Sequence, residues 1–233
     1  MKTVIKSLSI LFPVYNDKEA IELMVNKSQE LINDFQIPSE IIIVNDGCKF
    51  GSGQEAERLA KKYNNIVVIN NINNEGYGSA IKKGIKAAKY DWILQTDGDN
   101  QYDLNDFHQM NKIIHNYDCL ITFRYKKIYE SHRIFISWFY NKIIQFIFKS
   151  NFRDVSTGLR LIKKTALSDI ELISNSSFIG AEIAVRLMLK GYQVGEMGIA
   201  TYPRKFGVSS IITLRSITET VKDLVKLKLH LFK

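Results

Sequence analysis

The first half of the chain alternates short apolar runs with segments of helical periodicity, and this alternation constrains the fold more than any other feature. We predict five strands from the apolar runs: Leu8–Val14, Glu40–Val44, Ile66–Ile69, Trp92–Gln95 and Cys119–Thr122. Helices are predicted between them, at residues 17–35, 53–63, 79–89 and 103–115. Because alternating strands and helices build parallel sheets, we expect an α/β fold, a three-layer α/β/α sandwich with a mostly parallel central sheet.

Polar segments follow the first four predicted strands. They are Pro13–Asn16, Asn45–Gly47, Asn74–Gly78 and Asp97–Asp99. In open parallel sheets, ligands bind at the carboxyl ends of the strands. We therefore expect these four segments to meet at one edge of the sheet and to form a site there.

The strand Trp92–Gln95 runs directly into two carboxylates, Asp97 and Asp99, which we call the acidic pair. Mg²⁺ commonly uses one or two protein carboxylates together with substrate phosphates, so the pair favours a cation site for a nucleoside diphosphate. A polar turn with Asx hydrogen bonds is the alternative interpretation. An EF-hand is excluded, because Tyr102 stands at the sixth loop position and His108 at the twelfth.

Two further segments suit a nucleotide. Asp46 follows a buried strand, where its carboxylate could accept from the imide N–H of a pyrimidine or from the N1/N2 edge of guanine; an ordinary Asp-Gly turn is the alternative. Gly76, Gly78 and Ala80 open a predicted helix, so backbone could approach a ligand closely and the helix N-terminus could face a phosphate. The segment is not a dinucleotide fingerprint, since Ile81 occupies the place of its last glycine.

Composition limits the class of partner. The 233 residues carry a formal net charge of +8, which suits a phosphate-rich substrate or an anionic membrane surface, although a solvated lysine-rich surface explains it equally. We expect no nucleic-acid partner, because no zinc-finger, RNP or basic-zipper pattern is present. Cys48 and Cys119 lack CxxC spacing, so neither a disulfide framework nor zinc is expected. The start leads directly into a strand-like run, so we expect no signal peptide and a cytoplasmic setting.

The second half is less regular. We predict strands at Leu159–Ile162 and residues 192–200, and helices near residues 164–172 and 180–190. The aromatic segment 132–149 and the basic amphipathic segment 211–233 could each lie in the headgroup region of a membrane, or pack on the sheet or on a second subunit. No apolar run reaches the ~20 residues that span a bilayer.

Taken in order, the motifs of the first half are similar to the signature of the GT-A-fold, family 2 inverting glycosyltransferases. They are Pro13-Val14-Tyr15-Asn16, Asn45-Asp46-Gly47, Asn74-x-Gly76-x-Gly78-x-Ala80 and Asp97-x-Asp99-x-Gln101. A second set resembles the dolichyl- or polyprenyl-phosphate sugar synthases, a dolichyl-phosphate mannose synthase-like branch: Arg133, Ser137, Asn141, Asp154-x-x-Thr157-Gly158-x-Arg160, Glu182 and Arg204-x-x-Gly207-x-Ser209. The resemblance implies a Rossmann-like GT-A domain over residues 1–210, followed by a basic helix at 211–233.

The resemblance also implies roles for individual residues. Asp97 and Asp99 hold Mg²⁺ or Mn²⁺ and the sugar nucleotide, and Gln101 completes the metal site. The GDP- or UDP-linked sugar is bound by Pro13, Tyr15, Asn16, Asp46, Asn74, Gly76, Gly78 and Asp97. The chain departs from the branch where Tyr102-Asp103 replaces His-Pro and where Ile121-Thr122-Phe123-Arg124 lacks a glycine-rich lead.

Two classes of acceptor fit this chemistry. A phosphate acceptor is already anionic near neutrality, with a second pKa of about 6, and needs no general base. It needs polar and cationic side chains to hold it, for which we predict Arg124, Arg133, Ser137, Arg204 and Lys205. A hydroxyl acceptor needs a carboxylate base instead, for which Glu182 or Asp154 would serve.

We therefore predict an inverting, metal-dependent glycosyltransferase that moves a hexose from a nucleoside diphosphate to a polyprenyl phosphate. We expect it to be peripheral at the cytosolic, inner face of a membrane, with room for a separate membrane-anchor subunit. Transfer to a saccharide hydroxyl, as in polysaccharide assembly, is the alternative. A non-catalytic sugar-nucleotide-binding protein is a third interpretation, against which the intact acidic pair argues.

Overall fold

The computed structural model describes residues 4–16, 18–125, 131–203 and 213–232, with side chains of the fifth helix described from residue 134 onward. The seven strands of this part are β1 (Leu8–Val14), β2 (Ser39–Asn45), β3 (Ile66–Asn70), β4 (Trp92–Gln95), β5 (Cys119–Arg124), β6 (Arg160–Lys163) and β7 (Val194–Ile199). Its α-helices are α1 (Lys18–Phe35), α2 (Ser52–Lys62), α3 (Tyr77–Ala87), α4 (Asp106–Ile113), α5 (Ser131–Phe148), α6 (Lys164–Ser168), α7 (Ile179–Leu189) and α8 (Leu214–Leu231). A 3₁₀ turn at Ile114–Asn116 follows α4.

All seven strands form one sheet in the order β3-β2-β1-β4-β6-β5-β7. Strand β1 pairs in parallel with β2 and β4, and the pairs β2–β3 and β5–β7 are also parallel. Strand β6 is antiparallel to both of its neighbours, so its first residue, Arg160, lies opposite Gln95 at the end of β4. The segment before β6 therefore arrives at the same edge of the sheet as the segment after β4.

Helices cover both faces of the sheet. Ile41 and Ile43 of β2 belong to a buried cluster with α1, α2 and α4, whereas Ile42 and Val44 belong to a cluster with α3, α5, α6, α7 and α8. A strand with helices on both sides is apolar on both faces, which explains the three consecutive isoleucines. The predicted three-layer α/β/α sandwich with a mostly parallel sheet is confirmed.

Sequence patterns located most elements but not their direction. Trp92–Gln95 is a strand as predicted, and the predicted helix at 17–35 corresponds to α1 at Lys18–Phe35. The predicted helix near 164–172 is shorter, since α6 ends at Ser168. The antiparallel direction of β6 was not predicted, because an apolar run does not record which way its neighbours point.

Helix α8 packs against the body of the protein. Its buried residues Leu224 and Leu227 belong to the same apolar cluster as α3, α5 and α7. The helix begins with a capping box, in which the Thr213 side chain accepts from the Ser216 N–H and the Ser216 side chain accepts from the Thr213 N–H. The predicted domain boundary at residue 210 lies outside the described residues.

Candidate active site

Strands β1, β2 and β4 end at one edge of the sheet, where β6 begins; we call this the site edge. Val14 of β1 lies opposite Asn45 of β2, and Gln95 of β4 lies opposite Arg160 of β6. The polar segments that follow these strands are therefore brought together at the site edge, together with the segment that precedes β6.

Asp97 is half-buried and is held from two sides. Its Oδ1 accepts a hydrogen bond of 2.6 Å from the hydroxyl of Tyr77, the first residue of α3. On the other side it lies against the backbone of Gly158, where an added Cβ would come within 2.3 Å of its Oδ2. The Gly158 N–H donates to the Tyr102 hydroxyl at 2.9 Å, which fixes the segment before β6. Any larger residue at position 158 would displace the Asp97 carboxylate.

Tyr77 connects Asp97 to buried polar groups beneath the site edge. Its hydroxyl oxygen accepts from the Gln95 Nε2 at 3.2 Å. Burial and the nearby Asp97 carboxylate raise the pKa of Tyr77 well above its usual value, although the positive charge of Arg160 opposes this. Arg160 is only 2% exposed, and its Nη2 donates to the Val155 carbonyl at 2.8 Å. Tyr77 therefore stays protonated and acts as a donor to Asp97.

The turn that contains Asp99 presents oxygen atoms suited to a hard cation. Asp99 is 6% exposed, and its Oδ1 accepts from the Gln101 backbone N–H at 3.2 Å. The Gln101 Nε2 donates to the Tyr202 carbonyl at 3.3 Å, and the buried side-chain oxygen of Asn100 has no hydrogen-bond partner among the residues that the structure describes. Carboxylate and amide oxygens fit Mg²⁺ or Mn²⁺. Within the described ranges no three His, Cys, Asp or Glu side chains gather around a metal position.

Asp46 holds the loop between β3 and α3. Asp46 is 4% exposed, and its Oδ1 accepts from the Asn71 Nδ2 at 2.8 Å and from the Glu75 N–H at 2.9 Å. Its Oδ2 accepts from the Gly76 N–H at 2.9 Å. Asp46 is thus more than a local Asp-Gly turn, and its contact with a nucleobase stays a prediction.

The glycines at the start of α3 allow protein to pack on protein. An added Cβ at Gly76 would lie 2.6 Å from the Asn175 carbonyl oxygen, and one at Gly78 would lie 2.7 Å from the Ser176 carbonyl oxygen. The Gly78 N–H donates to the Asn175 carbonyl at 2.8 Å. Other parts of the chain thus occupy these amides and this close approach, and the role of Gly76 and Gly78 in binding a sugar nucleotide stays a prediction.

Glu182 is placed to hold a loop rather than to abstract a proton. It is fully buried on α7, and its Oε1 accepts from the Ile173 N–H at 3.0 Å and from the Arg186 Nε at 2.8 Å. Its Oε2 accepts from the Ser174 N–H at 2.8 Å. The geometry does not support the predicted role of Glu182 as a general base, because its oxygens already accept from two backbone N–H groups and from the Arg186 guanidinium.

Arg124 and Asp154 form a buried ion pair. The Arg124 Nη2 lies 2.8 Å from the Asp154 Oδ2, and the two side chains are 7% and 3% exposed. Asp154 also accepts from the Ser156 hydroxyl at 2.6 Å and from the Asn141 Nδ2 at 3.3 Å. The predicted phosphate contact of Arg124 and the predicted base role of Asp154 would each compete with this pair.

The other residues predicted to bind an acceptor phosphate are less completely described. Ser137 lies on α5, where its carbonyl accepts from the Asn141 Nδ2 at 2.8 Å. Arg133 lies in the first turn of α5, and its side chain is outside the described part of the chain. Arg204 and Lys205 also lie outside the described residues.

The segment after β1 is exposed at the site edge. Tyr15 and Asn16 are exposed, as is Asn74 in the loop before α3. Asn16 has a φ of 59°, and its side-chain oxygen accepts from the Cys48 thiol at 3.0 Å. These side chains are accessible to solvent, and their roles in binding a sugar nucleotide stay predictions.

A cavity of about 530 Å³ opens beside the ends of β2 and β3, on the side of α2. It is lined by Asn45, Cys48, Gly53, Gln54, Glu57, Arg58, Lys61 and Asn70. None of these residues belongs to the acidic pair. Sequence reasoning did not predict this cavity, because it is created by the packing of α2 beside the sheet.

Comparison with known proteins places these features in a family. The profile described as Glycosyl transferase family 2 matches residues 9–171, which include the acidic pair and the segment before β6. An uncharacterized protein of Methanocaldococcus jannaschii, MJ0544, is 30% identical over 234 residues, which cover 93% of this chain and 96% of that protein.

Two relatives are longer proteins. Glycosyltransferase AglD of Haloferax volcanii is 24% identical over 208 residues, which cover 84% of this chain and 33% of AglD. Dolichyl-phosphate beta-glucosyltransferase ALG5D of Trichomonas vaginalis is 28% identical over 142 residues, which cover 55% of this chain and 43% of ALG5D. The chain thus spans less than half the length of each of these two proteins.

The fold also matches that of a solved glycosyltransferase. Glucosyl-3-phosphoglycerate synthase from Mycobacterium tuberculosis, in complex with Mn²⁺, UDP and phosphoglyceric acid, superposes with a TM-score of 0.75 at 11% identity, over 96% of this chain and 78% of that one. At this identity the likeness concerns the fold alone, and it agrees with the predicted GT-A architecture.

Proposed function

Because the chain belongs to glycosyl transferase family 2, we propose that it moves a hexose from a GDP- or UDP-linked sugar to a polyprenyl phosphate, with inversion at the sugar carbon. The observation that carries the donor half of this reaction is the acidic pair at the site edge of a family 2 domain. Asp97 and Asp99 lie directly after β4, where ligands bind in folds of this kind.

The acidic pair supports a nucleoside diphosphate donor. Asp97, Asp99 and Gln101 would hold Mg²⁺ or Mn²⁺, and a bound cation acts as a Lewis acid that stabilises the charge on the leaving nucleoside diphosphate. The synthase from M. tuberculosis carries UDP with Mn²⁺ in one structure and with Mg²⁺ in another, which agrees with either metal. Tyr77 and Gly158 fix the orientation of Asp97, so the reactive groups need little rearrangement when the donor binds.

The state of the carboxylates favours a phosphate acceptor over a hydroxyl acceptor. Glu182 is fully buried and accepts three hydrogen bonds, and Asp154 is paired with Arg124 at 2.8 Å. Neither of the two predicted bases is therefore poised to take a proton from a hydroxyl. A phosphate monoester is already an anionic nucleophile near neutrality and needs no such base. The relative ALG5D carries the name of a dolichyl-phosphate glucosyltransferase, which agrees with this class of acceptor.

Two helices present apolar side chains that would suit a membrane surface. On α5 the side chains that are more than half exposed are Phe135, Trp138, Phe139 and Phe146. On α8 the corresponding side chains are Leu214, Val221 and Leu229, with Phe232 directly after the helix, and Lys222 and Lys226 are exposed on α8. Aromatic and aliphatic side chains flanked by cations are typical of helices that lie in the headgroup region. In the described ranges no helix combines the length and apolarity needed to cross a bilayer.

A panel of donors tests the proposed function. The protein is incubated with Mn²⁺, a polyprenyl phosphate and one of GDP-mannose, UDP-glucose or UDP-GlcNAc, each with a radiolabelled sugar. We expect label to enter the organic phase with one donor, because the product is a lipid-linked sugar. The Asp99→Ala variant serves as the inactive control.

Two other results would overturn parts of the proposal. Label that enters a water-soluble saccharide, and not the organic phase, would establish a hydroxyl acceptor. Turnover of no donor, with the protein folded and the metal present, would contradict the transferase reaction itself. The membrane contact is tested separately by sedimentation with anionic vesicles, which should weaken as salt is raised.

A further inference from the structure

The loop Ile173–Ser176, which joins α6 to α7, is held by two carboxylates from different helices; we call it the clamped loop. Glu182 of α7 accepts from the N–H groups of Ile173 and Ser174, at 3.0 and 2.8 Å. Asp223 of α8 accepts from the N–H groups of Asn175 and Ser176 with a single oxygen, Oδ2, at 3.0 and 2.9 Å. Four consecutive backbone donors are thus satisfied by two side chains.

The clamped loop packs against the first turn of α3. The backbone carbonyl of Asn175 accepts from the Gly78 N–H at 2.8 Å, and the Asn175 Oδ1 accepts from the Lys82 Nζ at 2.7 Å. The loop backbone lies so close to Gly76 and Gly78 that a Cβ at either position would come within 2.6 to 2.7 Å of a carbonyl oxygen. With so little space between them, a displacement of the loop displaces the start of α3.

The first turn of α3 reaches the site edge through two further contacts. Asp46 accepts from the Glu75 and Gly76 N–H groups on the side opposite to the clamped loop. Tyr77, the next residue, donates to the Asp97 carboxylate at 2.6 Å. A continuous chain of contacts therefore runs from Asp223 through Asn175, Gly78 and Tyr77 to the acidic pair.

On the basis of the proposed transferase function, we infer that Asp223 is a positioning residue for the nucleotide-sugar site. Through this residue, helix α8 stabilises the loop that supports the site. Asp223 does not touch the donor; it fixes the clamped loop so that α3 presents Tyr77 to Asp97 and keeps the Asp46 loop in place. Because α8 also carries exposed apolar side chains, the helix that faces the proposed membrane surface is the one that supports the donor site.

Asp223 is suited to a test that separates positioning from folding. It is half-buried and lies outside the apolar contact of α8, which is made by Leu224 and Leu227. Its removal opens no cavity in the core but withdraws the acceptor of two backbone N–H groups, so we expect a moderate loss of stability in a protein that still folds. Glu219, one turn earlier on the same helix, pairs with Arg215 at 2.9 Å, and its side chain is 46% exposed.

The experiment compares Asp223→Ala with Asp223→Asn and with the matched control Glu219→Ala. The dissociation constants of UDP and GDP are measured by calorimetry with Mn²⁺ present, and KM and kcat are measured with the active donor. We expect Asp223→Ala to weaken nucleotide binding about fivefold or more and to raise KM with a smaller change in kcat. Asp223→Asn keeps an oxygen that can accept from both N–H groups, so it should restore most of the affinity. Glu219→Ala should match the natural protein.

Each other result is decisive. Equal nucleotide affinity for the natural protein and Asp223→Ala would overturn the positioning role and leave the proposed function intact. A loss of affinity that Glu219→Ala shares would also overturn it, because the effect would then belong to the charge of α8. If Asp223→Ala does not fold, Asp223→Leu, which keeps the size of the side chain and removes the acceptor of both N–H groups, supplies the comparison. Natural nucleotide affinity in that folded variant, or reduced kcat without a change in KM, would contradict the role. Failure of the natural protein to bind either nucleotide would overturn the proposed function and the positioning role together.

Discussion

The acidic pair after β4 and the two carboxylates of the clamped loop contrast in what they contact. Asp97 accepts from the Tyr77 hydroxyl and Asp99 accepts from the Gln101 N–H, beside Asn100, whose buried side-chain oxygen has no hydrogen-bond partner among the described residues. Glu182 and Asp223 instead accept from four successive backbone N–H groups of a loop. The first pair lies at the sheet edge where ligands bind in folds of this kind, and the second pair binds the protein to itself.

This contrast shows why residue type alone does not identify a catalytic carboxylate. The sequence predicts Glu182 as a candidate base for a hydroxyl acceptor, but its oxygens accept from three internal donors and are closed off from solvent. Hydrogen-bond partners and exposure decide whether a carboxylate can hold a cation or take a proton. Mutations of the two groups should therefore separate activity from stability.

The largest effect is expected for Asp99→Ala. We predict a loss of kcat of about a thousandfold, because the variant removes a proposed ligand of the divalent cation that would stabilise the leaving nucleoside diphosphate. The free energy of unfolding should be nearly unchanged, since the side chain lies in a turn outside both apolar clusters. Steady-state kinetics and urea denaturation measure the two quantities.

Asp91→Ala provides the matched control for that variant. Asp91 is an exposed carboxylate at the opposite end of β4, where it accepts from the Ser7 hydroxyl at 3.0 Å. Its removal should leave kcat unchanged. Undiminished turnover by Asp99→Ala would remove the distinction between the two carboxylate groups.

Glu182→Gln should show the reverse pattern. Breaking a buried ion pair leaves the Arg186 guanidinium without its counter-charge, which we expect to cost about 3 kcal/mol of stability. For the fraction that stays folded, kcat should fall by less than about tenfold, whereas loss of a true general base costs ~10²–10⁴. Denaturation and kinetics on the same preparation measure both. A large loss of kcat with unchanged stability would restore Glu182 as the base.

Tyr77→Phe should give the smallest effect and refine the comparison. It removes one hydrogen bond to Asp97 while keeping the ring, so we expect kcat/KM to fall about tenfold. The concentration of Mn²⁺ needed for half-maximal activity should rise, because Asp97 loses its fixed orientation. Tyr90→Phe, at a half-buried ring shortly before β4, is the control. An unchanged Mn²⁺ requirement in Tyr77→Phe would show that Tyr77 does not orient Asp97.

The sequence was sufficient to predict the strands and the edge of the sheet where the candidate site lies. Strands such as Trp92–Gln95 are apolar runs bounded by polar residues, and the rule that ligands bind at carboxyl ends placed Asp97 and Asp99 together with Asp46. These inferences rest on local patterns, which the folded chain preserves.

The partners of the site residues could not be predicted in the same way. Tyr77, Gly158 and Asp223 reach the site through contacts between segments far apart in the chain, and no local pattern records such contacts. The glycines of α3 were correctly recognised as points of close approach, but only the fold reveals that the approaching backbone is that of Asn175.

Calorimetric titration of UDP and GDP tests most directly the claim that the acidic pair binds the donor through a divalent cation. The natural protein and an Asp97→Asn/Asp99→Asn variant are each titrated with Mn²⁺ and again with EDTA. We predict that Mn²⁺ strengthens binding of one nucleotide to the natural protein by at least about tenfold, or 1.4 kcal/mol, and that the variant gains nothing from the metal. Equal affinity of the two proteins in the presence of Mn²⁺ would contradict the claim.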